Sequence, residues 1–116
     1  MKTKLPLTET VFYVLLAFQK PSYGYQAIKN IELMSRGNVR IAAGTMYGAI
    51  ENLLKQNLIV PINSEQERRK IYITTKQGTQ LLKMEVQRMK HCINIFEKPK
   101  GEHYDTFQQL KKKKNG

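Results

Sequence analysis

The sequence predicts a mainly α-helical fold carrying one small β-hairpin. Three observations predict it. Apolar residues recur at helical spacing in three short segments of the first half. Two short β-branched runs separated by a polar loop follow them. A longer segment then carries apolar residues at alternating steps of four and three, the spacing of a heptad seam.

The first helix is expected over residues 7–19. Leu7, Val11, Val14, Leu15 and Phe18 form its apolar set, Thr8 is placed as N-cap, and Lys20-Pro21-Ser22 ends it. It is apolar on more than one side, which points to burial beyond a single core face. The second helix opens at Tyr23-Gly24-Tyr25 and covers 24–36, with Ala27, Ile28, Ile31 and Met34 as its stripe. Arg36-Gly37-Asn38 supplies the stop: a basic residue in the last turn, then a glycine suited to a left-handed cap. Val39-Arg40-Ile41 is short and β-branched, as a single extended rung would be. The third helix is expected over 43–56. Met46, Ile50, Leu53 and Leu54 face inward, and Thr45, Gly48, Asn52 and Lys55 fall on the opposite side. Asn57 closes it, since asparagine tolerates the left-handed region.

Residues 58–62 form the first strand of the hairpin, and Pro61 assigns it to an edge. A polar loop over 63–67 leads to a second strand over 68–74. Ile71 and Ile73 lie on one of its faces and Tyr72 and Thr74 on the other; the pattern leaves open which face is buried. Thr75 caps a long fourth helix over 76–97, whose seam is Leu82, Val86, Met89, Ile93 and Phe96. Pro99-Lys100-Gly101 ends it, and a polar remainder closes on the lysine run Lys111 to Lys114. Three short helices followed by a basic hairpin are the pattern of a winged helix-turn-helix. There the third helix enters the DNA major groove and the wing reaches flanking backbone or the minor groove. The expected organisation is a winged-helix DNA-binding domain at 1–75, a C-terminal dimerisation helix at 76–98 and a basic, flexible tail at 99–116.

Charge supports a polyanionic partner. The 116 residues hold 20 Lys and Arg against 9 Asp and Glu, a net charge of +11. The isoelectric point is about 9.9. The excess is +4 over residues 1–57, +4 over 58–98 and +3 over 99–116, so the folded part itself is basic. Nucleic acid leads the partner classes, with anionic lipid or simple solubility as the alternatives. One cysteine excludes an intrachain disulfide framework. No apolar run is long enough to span a bilayer and no signal-peptide pattern opens the chain, so a cytoplasmic protein without a membrane partner is expected. The chain shows no clustered Ser/His/Asp set, no phosphate-cradling glycine loop and no carboxylate pair for an active cleft, which argues against an enzyme. His91 and His103 do not have metal-site spacing, and neither metal nor cofactor is expected.

Five motifs in order carry a family resemblance: Tyr23-Gly24-Tyr25, Gly44-Thr45-Met46-Tyr47, the run Leu53 to Ile59, Arg68-Arg69-Lys70-Ile71-Tyr72, and Thr75-Lys76-Gln77-Gly78. Over residues 7–97 the chain resembles the PadR family of bacterial winged-helix transcriptional regulators, in its shorter subgroup with a single helix after the wing. The resemblance implies a homodimeric repressor of a palindromic operator. The last helix would pack across the dimer, and some members would hold a small effector between subunits. The sequence departs from the family pattern at Ala42-Ala43, where Ser-Pro is usual, and the lost N-cap costs about 1 kcal/mol. Gly48 stands for a proline, Asn57 for a glycine and Thr74 for a leucine, and Glu51-Asn52 lies where a basic pair is common.

The candidate DNA contacts follow. Thr45, in the first turn of the third helix, can offer its hydroxyl to a phosphate or base edge. Tyr47 can donate to a phosphate or pack on the second helix. Asn52 has the geometry to read adenine or is an ordinary exposed amide. Lys55 and Arg40 are phosphate contacts or solvated charge, and Tyr25 packs its ring while offering a hydroxyl. Arg68, Arg69 and Lys70 are the sharpest charge signal, as wing cations that neutralise phosphates or as an edge strand's guard against aggregation. The seam Leu82, Val86, Met89, Ile93 and Phe96 is a candidate dimer interface, with intramolecular core as the alternative. Met84, Met89 and Cys92 are either part of a plain packed interface, the favoured reading, or soft surface suited to a small hydrophobic effector. A protein-binding adaptor on the same scaffold is the rival function, kept open by the few cations on the third helix.

Overall fold

In the computed structural model, which describes residues 2–64, 66–98 and 110, the elements run α1 (Glu9–Ala17), β1 (Ser22–Tyr23), α2 (Gly24–Met34), α3 (Ala43–Lys55), β2 (Ile59–Pro61), β3 (Ile71–Thr74) and α4 (Lys76–Glu97). The fold is mainly helical with a small antiparallel sheet, in the winged-helix arrangement. The chain forms two units, Met1–Glu85 and Val86–Gly116.

Local chemistry sets the helix ends in the first unit. Thr8 sits in extended backbone and its hydroxyl accepts from the Val11 N–H at 3.1 Å, the expected cap of α1. Thr75 does the same for α4, its hydroxyl accepting from the Gly78 N–H at 3.0 Å. Neither α2 nor α3 has a side-chain cap; Ala42, at the N-cap of α3, has no oxygen to offer. Beyond α2 both Arg36 (φ 54°) and Gly37 (φ 78°) are left-handed, and beyond α3 Asn57 takes φ 58° as its residue type permits.

The sheet differs from the expected two-stranded hairpin. It has three strands in the order β1-β3-β2, with β3 central and the Pro61 strand at an edge. Ser22 pairs with Tyr72 and Tyr23 with Ile71; Ile59, Val60 and Pro61 pair with Thr74, Ile73 and Tyr72. The third strand is therefore Ser22–Tyr23, and Val39-Arg40-Ile41 is not a rung. The reason lies in Ser35. Its hydroxyl accepts from the Val39 N–H at 2.9 Å and approaches the Val39 carbonyl at 3.3 Å, which satisfies that backbone locally while Val39 and Ile41 bury their side chains. A second correction concerns Arg68, Arg69 and Lys70. They precede β3 in the loop rather than alternating along a strand.

The core settles which face of β3 is buried. Phe18, Leu15, Val14, Ile31, Met46, Leu53 and Ile59 are fully enclosed. Tyr72 packs edge-on to Phe18, with ring centroids 5.8 Å apart, and Thr74 is buried. The polar-looking face thus points inward. Thr74 is accommodated because its hydroxyl donates to the Leu15 carbonyl at 2.8 Å and its N–H to the Phe18 carbonyl at 2.8 Å. Met34, expected in the stripe of α2, is instead exposed at the helix end. The segment before α1 is tied down by the Leu7 N–H, which donates to the buried Glu85 carboxylate at 3.2 Å.

In the second unit, Ile93 is 54% and Phe96 89% exposed, while Val86 and Met89 are half-buried. Leu82, in the first unit, belongs to the core. The expected tail at 99–116, with its lysine run, lies outside the described residues apart from Leu110.

Gly78 is required by a close approach. A Cβ there would strike the Leu58 carbonyl oxygen and sit 2.6 Å from Thr74 Cγ2. Alanine gains roughly 1 kcal/mol of helix propensity, but the obstacle is backbone and cannot yield. Gly78→Ala is therefore expected to lose about 1–3 kcal/mol net, read as a lower urea midpoint with an unchanged slope.

Candidate nucleic-acid interface

The start of α2, the outer side of α3 and the base of the wing loop converge on one recess. Gly24 lets them meet. A Cβ at that position would lie 2.9 Å from Tyr47 Cε1 and 3.0 Å from its hydroxyl, so the bare backbone seats the Tyr47 ring against the first turn of α2. Strand pairing brings Tyr23 beside β3, and the Arg69 guanidinium stacks over the Tyr23 ring at 4.5 Å. Lys29 lies over the Tyr25 ring at 4.8 Å. The loop itself is braced: Asn63 accepts from the Ile71 N–H at 2.9 Å and donates to the Arg69 carbonyl.

The recess measures about 310 Å³ and is lined by Tyr23, Tyr25, Tyr47, Tyr72, Arg68, Arg69 and Lys70 around Gly24. It gathers four phenol groups and three cations, with no carboxylate among the described residues that line it. Phenol hydroxyls donate single hydrogen bonds and guanidinium groups donate in pairs, a set that matches phosphate oxygens. Tyr72 is held above the ordinary tyrosine pKa of 10.0, first by burial and then by the neighbouring Tyr47 phenol. It therefore remains a donor throughout the neutral range.

The sequence-selected residues divide. Tyr25, Tyr47, Arg68, Arg69 and Lys70 come together in this recess. Thr45 is exposed in the first turn of α3, where the helix has no side-chain cap. Arg40 is exposed in the loop before α3 and pairs with Glu32 at 3.1 Å, a solvated pair of small energetic weight. Asn52 and Lys55 open onto a different groove at the C-terminal end of α3, where Lys55 meets Glu51 at 3.5 Å. Sequence reasoning missed Tyr72 and Tyr23 as members of the site. Tyr72 was ambiguous by alternation alone, and Tyr23 joins the recess through a strand of two residues that no periodicity marks. The signal that could have found them is the interleaving of tyrosines with the basic run Arg68 to Lys70.

Comparison with known proteins gives the family and the fold. The model of the Transcriptional regulator PadR-like family matches residues 12–84. A transcriptional regulator from Clostridium thermocellum is 30% identical, with 76% of this chain and 88% of that one covered at a TM-score of 0.61. A PadR family transcriptional regulator from Eggerthella lenta is 31% identical, with 76% and 79% covered at a TM-score of 0.60. The PcaV transcriptional regulator of Streptomyces coelicolor, solved with its natural ligand, shares the fold at 13% identity, with 98% and 79% covered and a TM-score of 0.63. No curated protein matches the sequence.

The Tyr72 environment gives a titration test. Its folded-state pKa lies above the unfolded value, so the folded chain holds the proton more tightly. The resulting contribution to stability is complete below the unfolded pKa and is lost as pH rises through the folded one. In an alkaline ultraviolet titration, Tyr72→Phe is expected to delete a late-ionising phenol, and Tyr47→Phe to bring the Tyr72 transition to lower pH.

Proposed function

The chain belongs to the PadR-like family of transcriptional regulators, and on that premise we propose that it is a bacterial, cytoplasmic, homodimeric repressor. It binds a palindromic operator through two copies of α3 and two wings and is released by a small effector. The family is one of regulators and not of enzymes. Among the described residues no helix is long and apolar enough to cross a membrane, and no cluster of His, Cys, Asp and Glu could hold a metal ion.

The single observation that carries the reading is the tyrosine and cation recess at the junction of α2, α3 and the wing. The phenol hydroxyls and Arg68, Arg69 and Lys70 anchor phosphates, which fixes the register of α3 on the duplex. Tyr47 donates to a phosphate with the other phenols, Thr45 in the first turn of α3 and Asn52 farther along it stand toward the base edges, and Arg40 and Lys55 meet flanking backbone. Arg40 and Lys55 contribute once their weak pairs with Glu32 and Glu51 exchange for phosphate. The exposed Ile93 and Phe96, with the half-buried Val86 and Met89 along the same seam, form the dimer contact, while Leu82 is withdrawn from it because it is buried in the core of its own protomer. PcaV, a transcriptional regulator of the same fold, is solved in complex with its natural ligand.

Two measurements test the proposal. In gel shifts over a salt series with a selected operator, Arg68→Ala/Arg69→Ala is expected to weaken binding. It should also flatten the slope of log K against log salt by about 1.8, two phosphate contacts at roughly 0.9 each. An unchanged slope removes the wing from the interface. In sedimentation, Ile93→Glu/Phe96→Glu is expected to convert the dimer to protomers and to abolish cooperative binding of the two half-sites. A variant that remains dimeric rules out the seam.

A further inference from the structure

A second concavity of the first unit, more roomy than the tyrosine recess, is a groove of about 870 Å³ at the C-terminal end of α3, between the residues preceding α1 and the first turns of α4. Its floor is apolar, formed by Leu58, Leu81 and the half-exposed thioether of Met84. Its rim carries Lys2, Lys55 and Lys76 together with side-chain amides. No carboxylate is among the described residues that line it. Glu51 lies 3.5 Å from Lys55 as an exposed pair, and such a pair yields readily to a better-placed anion.

We infer that this groove binds a small amphiphilic anion: an apolar body the size of a medium acyl chain or a pair of fused rings, bearing one acidic group. The volume is that of a pocket for a small organic ligand. The apolar floor selects a hydrocarbon body, and the unbranched Met84 side chain adapts its shape to it. Three ammonium groups at the rim select a negative head and exclude a cation. The amides of the lining supply hydrogen bonds to its oxygens.

The site also has the position of a control point. One wall is the last turn of α3 and the other is α4, joined through the left-handed Asn57 and through Thr75, whose hydroxyl donates to the Asn57 carbonyl at 2.8 Å. A ligand bridging these walls stabilises one setting of α3 relative to the start of α4, and its differential affinity for the two settings is what it would transmit. All the lining residues belong to the first unit, and none of them is a seam residue. The inference goes beyond the DNA reading and does not rest on it.

The test is a fluorescence titration of the full-length protein with anilinonaphthalene sulfonate. A parallel titration uses phenylnaphthylamine, which has similar rings and no acid group. One saturable site per protomer is expected, with the sulfonate preferred. Lys2→Gln/Lys76→Gln should weaken the sulfonate about fivefold and leave the neutral probe unchanged, and Met84→Glu should abolish sulfonate binding; circular dichroism confirms that each variant is folded. Equal affinity for the two probes, or sulfonate binding unaffected by all three substitutions, overturns the inference. So does a wild-type protein that takes up neither probe while Met84→Glu shifts it from dimer to protomer, which would make a second copy the occupant. The titrations contain no DNA, so their failure leaves the operator reading standing, and a failed gel shift leaves this site standing.

Discussion

Two adjacent threonines tie the sheet of the first unit to the ends of α1 and α3. The last carbonyls of a helix have no partner within it. Thr74 and Thr75 meet one such carbonyl, that of Leu15 in the last turn of α1, and three that follow the helices, those of Phe18, Asn57 and Leu58. The Thr74 hydroxyl and N–H bond the Leu15 and Phe18 carbonyls. The Thr75 hydroxyl and N–H bond the Asn57 and Leu58 carbonyls. These two adjacent residues join β3 to α1, link the end of α3 to the start of α4, and cap α4 through Gly78. The Thr74 hydroxyl is buried, and left unpaired it would cost on the order of 1–3 kcal/mol, which favours the register observed. That register places Tyr72 against Phe18 and opposite Ser22, and the tyrosine recess follows from it.

The helices were legible because their signals are local. The period of apolar residues located α1, α2, α3 and α4, and single residues marked the ends: Thr8 and Thr75 as caps, Asn57 as a left-handed stop, Pro61 as an edge marker. The failures share one cause, which is that long-range partners decided the outcome. β1 is two residues with no pattern of its own, and it exists because β3 offers a free edge to it. The inward face of β3 carries Tyr72 and Thr74 rather than the two isoleucines, because a hydroxyl bonded to the end of α1 makes a buried threonine tolerable. Arg68 to Lys70 looked like strand, yet the hydrogen bonds of Asn63 hold that stretch in the loop. Of the site, the cations and Tyr25 and Tyr47 were visible in the sequence. Tyr23 and Tyr72 needed the sheet, and the amphiphilic groove needed three separate segments to meet.

Charge is distributed unevenly over the recognition elements. Helix α3 carries a single cation, Lys55, and it sits beside Glu51, while the loop before β3 carries three cations in succession. On the proposed reading, electrostatic attraction belongs mainly to the wing, and α3 contributes shape and a few polar atoms. A helix start that lacks a side-chain cap leaves amide donors there available to an external acceptor. Division of labour on these lines separates affinity, which is salt-sensitive, from readout, which is not.

The hydrogen bonds described for the tip of the wing run within the loop itself: Gln66 and Glu67 donate to Ser64, and Asn63 closes the base. None of these reaches the helical body. Ser64, Gln66 and Glu67 thus form a self-braced bracket whose described bonds depend on one another, whereas Arg69 keys the following stretch to the sheet through its stack on Tyr23.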